Sequence, residues 1–191
     1  PLYSFYTDNR FFDRHMPILH EYDMEETSVK PWRERRKTVF FRGGATGNGV
    51  TARTNPRLNL CTMRIRGLDA RLTSLNPRHK FGDDGKIHFI DKSKFNAGKF
   101  NYVSMEKQQE YKGLIYVTGH SGASRLSQLL VSGSVVFIVE SEKLPHPWIY
   151  YQLQPWKHYI PVKSDLSDLR KQIDWFMSHN DECAAMAYEA R

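Results

Sequence analysis

Cysteine is scarce in this sequence: Cys61 and Cys183 are the only two among 191 residues. That excludes a small disulfide-stapled scaffold and makes a reducing, cytoplasmic setting the simpler expectation, with a secretory lumen and a single bridge as the alternative. Long hydrophobic runs are missing as well, and no apolar stretch approaches the roughly 20 residues of a membrane-spanning helix. No Asp-Xaa-Asp pair occurs, so the usual carboxylate ligands of a metal-bridged diphosphate are lacking. Asp83 and Asp84 sit in DDGK and read as turn formers. The histidines at 15, 20, 79, 88, 120, 146, 158 and 179 form no cluster with cysteine that specifies zinc. No leader peptide is recognised, and PLYSFY opens without methionine, the start expected of a segment within a longer protein.

What is present is ample for a core: 40% of residues are hydrophobic and 13% aromatic. Lys and Arg number 28 against 21 Asp and Glu, a formal charge of +7. That balance suits a polyanionic partner: a nucleotide diphosphate, a nucleic acid or an anionic membrane. The clusters WRERRK and NPRHK, interleaved with aromatics, motivate one functional alternative, a basic nucleic-acid-binding α/β module without enzymatic activity. Against it, the basic residues are scattered among acidic ones and no recognition motif occurs.

Residues 1–30 are aromatic and acidic, broken by Pro17, and read as irregular structure closing another unit. TVFF, residues 38–41, reads as the end of a strand, because β-branched and aromatic residues fit a pleated, half-buried surface. Gly43, Gly44, Gly47 and Gly49 then suggest a loop with positive φ and close backbone approach. A short helix is expected after Pro56 and a second strand at GLDARLTSL. Residues 76–101 turn polar and read as a loop or insertion. MEKQQEYK predicts a helix capped by Ser104, followed by the strand GLIYVTG. HSGASRLSQLLVSG predicts a helix with Leu126, Leu129 and Leu130 on one face and Gly133 at its end. SVVFIVE and HYIPV read as buried strands, SDLSDLRKQIDWFMSHN as a capped amphipathic helix burying Leu166, Leu169, Ile173 and Phe176, and DECAAMAYEAR as a last helix. Strands alternating with helices make the class α/β with a mainly parallel sheet, whose ligands sit at the carboxyl ends of strands.

Two strand-to-loop junctions are alike, VFFRGGATG and IYVTGHSGASR. In the second, Gly119, Ser121, Gly122 and Ser124 lead into a helix whose first turn carries Arg125. A helix start with free N–H groups, beside an arginine whose planar fork bonds two phosphate oxygens at once, can hold a diphosphate.

The run FFRG, then LDA at 68–70, then GHSGASRL, LLVSGSVVF and LQPWKHYIPVKSDLSDL, resembles glycosyltransferase family 90, the protein O-glucosyltransferases and capsule-associated glycosyltransferases. The likeness covers about 32–191 in order, and PLYSFYTDNRFFDRHMP is similar to the family's proline-led SFSKT and aspartate-to-proline stretch. The resemblance implies a GT-B architecture of two Rossmann-like halves, with 1–31 ending the acceptor-side half and 32–191 forming the donor-binding half. It implies inverting, metal-independent transfer of a glucosyl or xylosyl residue from UDP-glucose or UDP-xylose to a glycan or protein hydroxyl, with no cofactor beyond the nucleotide sugar. It implies that Arg42 and Arg125 face the diphosphate, that Asp69 lies in the strand whose end meets the nucleoside, and that Gly43, Thr46, Gly119, Ser121, Gly122 and Ser124 belong to the two donor loops. The family's aspartate base falls upstream of Pro1, and Asp8 and Asp13 read as loop or capping residues. Trp156 and His158 are weak candidates for acceptor contact.

Overall fold

The computed structural model describes residues 30–47, 49–75, 86–120, 123–141 and 146–191, together with the backbone of 3–4, 14–15 and 79–81. Tyr3–Ser4 (β1) and Arg14–His15 (β2) pair in parallel over two residues. From residue 36 strands and helices alternate: β3 (Arg36–Gly44), α1 (Pro56–Thr62), β4 (Leu68–Ser74), the pair β5 (His79–Phe81) and β6 (Ile87–Phe89), and α2 (Met105–Gln108). They continue as β7 (Tyr111–Tyr116), α3 (Leu126–Val131), β8 (Val135–Val139), β9 (Ile160–Val162), α4 (Leu169–Ser178) and α5 (Asn180–Glu189).

Five strands make a parallel sheet in the order β4-β3-β7-β8-β9. Helices cover both faces, which is why β8 is apolar and buried at every position, VVFIV. The two-residue period of a strand sends neighbours to opposite layers. Phe41, Ile115, Phe137 and Ile160 pack with Leu60 of α1 and with Leu169, Ile173 and Phe176 of α4, whereas Phe40, Leu114, Val136 and Ile138 pack with Leu126, Leu129 and Leu130 of α3. Phe137 meets Phe176 edge to face at 5.5 Å, at the centre of the first layer. Gly133 ends α3 at a φ of 71°, and Ser104 caps α2 by accepting from the Lys107 N–H at 3.3 Å. Cys61 and Cys183 both lie in helices as free thiols, and burial pushes each up to about 12.

Three expectations are corrected. β3 does not stop at Phe41 but runs through Arg42 to Gly44, because β4 offers partners that far, with Arg42 opposite Arg71 and Gly43 opposite Leu72. The polar stretch after residue 76 holds structure: β5 and β6 form an antiparallel pair, and short 3-10 turns lie at Lys92–Lys94 and Lys99–Asn101. Local caps build it in place of a hydrophobic period, since the Asp91 carboxylate accepts from the Ser93 N–H and the Asn101 amide donates to Leu72 O at 2.9 Å. Finally, α4 begins only at Leu169, and Asp168 does not cap it; Leu166 adopts a φ of 64°, and Asp168 instead accepts from the Lys163 N–H and the Gln172 amide. The turn expected at Asp83–Asp84 and the roles expected of Asp8 and Asp13 lie outside the described residues, as do most of the residues before the expected division at 31.

His146 lies in the α3 layer, 5% exposed and stacked on Tyr150 at 3.9 Å, and no group among the described residues meets its Nδ1. Burial brings its pKa down from 6.5 to about 4. Between those values the unfolded chain takes up a proton that the native chain refuses. The contribution is therefore fully present above about pH 6.5 and declines as pH falls towards 4, by about 3 kcal/mol in all. His146→Phe is expected to flatten urea-unfolding stability over pH 4 to 6.5 relative to the parent; an identical pH dependence in both proteins would contradict the assignment.

Candidate functional site

In a sheet of this order the chain leaves β3 in one direction to reach β4 and then returns past β3 to lay down β7 on its other side. The connections therefore diverge at the carboxyl ends of β3 and β7 and leave a crevice between them. The loop after β3, starting at Ala45, and the described parts of the loop after β7, residues 117–120 and 123–125, are its walls.

Asn55 fixes the first wall. Its side-chain oxygen accepts from the N–H groups of Arg57 and Leu58, capping α1 ahead of Pro56, and its amide donates to Thr46 O and Gly49 O. Gly47 takes a φ of 126°, a region that favours glycine, and its N–H points to the His120 ring of the second wall, 3.3 Å from Nδ1. A side chain at Gly119 would put its Cβ 2.6 Å from the Thr46 hydroxyl, so the walls approach to contact distance there. Gly43 and Gly44 are part of β3 and do not take positive φ.

Three arginines underlie the crevice as its floor, the Arg42 guanidinium being turned back along β3 towards Phe40 and Asp69. Arg57 is 8% exposed and donates from Nε to Thr118 O at 3.1 Å, from Nη1 to Gly44 O at 3.2 Å and from Nη2 to Val117 O at 2.7 Å. Arg125 donates to Arg42 O at 2.7 Å and to the Gln108 side chain at 3.0 Å. Arg42, also 8% exposed, lies over the Phe40 ring at 4.1 Å and donates to Phe41 O, Asp69 O and the Asp69 carboxylate, the last at 2.9 Å. Asp69 also holds Arg71 at 3.3 Å. Desolvation, and then the nearby Arg125 charge, lower the pKa of Arg57 to about 10; burial lowers that of Arg125 too. At pH 7 Arg57 thus stays charged, and among the described residues Asp69 is the carboxylate paired with this trio. The Nε groups of Arg42 and Arg125 are buried without a partner among the described residues.

A cavity of about 310 Å³ opens beside the crevice, lined by Gly47, Arg53, Thr54, Thr118 and Gly119 and, across from them, Glu140, Ser141, Ser164 and Asp165. A larger hollow of about 860 Å³ follows the open edge of β4 past Arg64, Arg66 and Lys94. It flanks the sheet edge rather than the carboxyl ends of its central strands, so the smaller cavity is the one tied to the crevice.

Of the expected site residues, Arg42, Gly43, Thr46, Gly119 and Arg125 come together around the crevice. Ser124 is exposed on the second wall, and Ser121 and Gly122 lie outside the described residues. Asp69 sits near the start of β4, opposite Phe40, its carboxylate turned to arginines. α3 has only six residues and begins just after Arg125, so little dipole stands behind that wall. Trp156 and His158 lie in the turn before β9, at the amino end of the sheet, away from the crevice. There Trp156 takes a φ of 64° and packs edge-on against Trp175 at 5.0 Å, while His158 Nδ1 accepts from the Gln154 N–H. Sequence reasoning missed Asn55 and Arg57. The pair Asn-Pro before an apolar run signals a capped helix start and could have found Asn55; nothing local marks Arg57.

The family described as Glycosyl transferase family 90 matches residues 1–191. The chain is 30% identical over 218 residues to Uncharacterized protein 035R of Invertebrate iridescent virus 3, covering 100% of this chain and 19% of that protein. It is 32% identical over 165 residues to Protein O-glucosyltransferase 1 of Rattus norvegicus, covering 81% of this chain and 35% of that one. It is 28% identical over 183 residues to Protein O-glucosyltransferase 3 of the same species, with coverage of 91% and 34%. The chain therefore spans 19% to 35% of the length of these relatives.

Removing the Asp69 charge leaves Arg42 buried and uncompensated. Asp69→Asn is expected to lower unfolding stability by about 1 to 3 kcal/mol, below the range for a fully buried pair because the carboxylate is itself partly exposed. Glu34→Gln, which breaks the exposed Arg33–Glu34 pair at 3.8 Å, should change it by under about 0.5 kcal/mol. Urea titrations of both variants provide the comparison, and equal effects would mean that the Arg42–Asp69 pair contributes no more than a surface contact.

Proposed function

The chain belongs to glycosyl transferase family 90, and on that premise we propose that it carries the donor site of an inverting transferase. This enzyme moves a glucosyl or xylosyl residue from a UDP-sugar to a hydroxyl of a glycan or protein. The observation that carries the reading is the crevice at the carboxyl ends of β3 and β7, underlain by Arg42, Arg57 and Arg125, with which Asp69 is the one carboxylate paired among the described residues. A diphosphate supplies the negative charge this floor lacks, and N–H groups of the two glycine-bearing walls add donors. In the reaction the acceptor oxygen bonds to the sugar's anomeric carbon from the face opposite the nucleotide. The bond from that carbon to the phosphate oxygen breaks, and UDP leaves with the electron pair. The acceptor proton passes to a carboxylate expected upstream of Pro1.

Fixed cations close to the leaving group stabilise the charge that develops there, so transfer proceeds without a divalent ion. The protein is read as GT-B, with residues 32–191 as its nucleotide-sugar half and 1–31 as the end of the acceptor-side half. Two free cysteines fit a reducing, cytoplasmic setting. Glucose and xylose differ by one hydroxymethyl group, worth about 1 to 3 kcal/mol in a pocket, so discrimination between them is incomplete.

Titration calorimetry of UDP tests the site. Arg125→Ala is expected to weaken UDP binding by about 1.5 to 3 kcal/mol, the range for a charge-assisted hydrogen bond. Binding unchanged within twofold removes the second wall from the diphosphate site, and stabilisation by single-stranded oligonucleotide instead of UDP would favour the nucleic-acid reading. A separate assay of the full-length protein with glycan acceptor should show UDP release that survives excess EDTA; activity lost on chelation and restored by manganese contradicts metal independence.

A further inference from the structure

Resting on the donor-site reading above, we infer that Arg57 is a positioning residue, setting the distance between the two crevice walls without itself taking the donor. Its guanidinium is nearly enclosed, and each of its three nitrogens already donates to a carbonyl, one at the end of β3 (Gly44) and two beyond the end of β7 (Val117 and Thr118). A planar fork is what such a bridge requires. Nitrogens on its different edges meet carbonyls of two separate chain segments at once, where the single point donor of lysine serves one.

The fork is anchored from the core outward. The Arg57 N–H is held by the Asn55 cap, and the helix that carries it buries Leu58 and Leu60 completely. A wall position thus follows from helix packing rather than from the loops themselves. Two further contacts tie wall to wall: Gly47 to the His120 ring, and the close approach of Gly119 to Thr46. Both need the walls to be already in place, because the first is long and the second is a steric limit. Arg125 reaches the first wall too, but through Arg42 O, lower in β3. Ligand groups gathered from both walls keep their mutual spacing only while the Arg57 bridge holds.

The test uses Arg57→Lys and Arg57→Gln in the full-length protein, with UDP as probe. In calorimetry the expected result for Arg57→Lys is a UDP Kd raised about tenfold with stoichiometry unchanged, the equivalent of about 1.4 kcal/mol. Support of the fold alone predicts the reverse, a lower stoichiometry or melting midpoint with the parental Kd, and that result overturns the inference. Amide exchange without ligand gives an independent reading. Exchange at Gly47, Gly119 and His120 should quicken in Arg57→Lys while Val136 in the core keeps its protection, whereas parental exchange at the walls, or equal acceleration at Val136, overturns the inference. If the parent protein binds no UDP the donor reading falls, and wall exchange still decides whether Arg57 bridges the loops. If Arg57→Gln fails to fold, Arg57→Lys, which keeps the charge and part of the bonding, carries the test.

Discussion

A parallel sheet leaves carbonyl groups unpaired where its strands end, and this protein satisfies several of them with buried guanidinium groups. Gly44, Val117 and Thr118 accept from Arg57, and Arg42 O accepts from Arg125. Unpaired and buried, each of those carbonyls would cost about 1 to 3 kcal/mol. The geometry of two loops, the start of α1 and the second layer of the core all meet at these bonds. Arginine satisfies them with neutral partners, so the positive charge is hydrogen-bonded yet not cancelled.

That distinction separates structural from functional consequences. Desolvation is what lowers the Arg57 and Arg125 pKa values, and the Arg125 charge adds to it at Arg57. The Arg125 charge thus adds to the cost of keeping Arg57 charged. One carboxylate, Asp69, is shared by Arg42 and Arg71 and leaves the remainder of the floor cationic. A fold selected for stability alone gains by replacing such groups with apolar ones of similar shape. On the proposed donor reading they are kept because an anion's charge offsets the desolvation each time it binds.

Much of the architecture is legible in the sequence because burial on both faces writes itself as unbroken apolar runs. GLIYV and SVVFIV become β7 and β8, and the leucine spacing 126, 129, 130 becomes the inner face of α3. The site is legible only as far as it is local. FRGGATG and TGHSGASR are recognisable as loops at strand ends, yet nothing within either stretch reports that they touch, because their adjacency comes from the order of strands. Arg57 illustrates the limit: its partners lie 13, 60 and 61 positions away, and its neighbours in sequence describe nothing but a capped helix. Glycine misleads in the other direction, since Gly43 and Gly44 read as loop while β4, brought alongside by the fold, holds them in a strand.

The parallel sheet also explains why the most distinctive run in the sequence does not reach the crevice. Every residue that precedes a strand is delivered to the amino end of the sheet and every residue that follows one to the carboxyl end. QPWKHYIPVKSD is divided by β9. Trp156 and His158 fall on the near side, where Trp156 packs edge-on against Trp175, Trp175 stacks on His179, and a left-handed backbone at Trp156 is held by its N–H bond to Tyr159 O. Ser164 and Asp165 fall on the far side and line the cavity beside Thr118 and Gly119. A single motif therefore does two jobs, locking the turn into β9 with its aromatics and furnishing the crevice rim with its polar end. Recognising the motif points to the family, whereas only the direction of the strand tells which half of it faces the cavity beside the crevice.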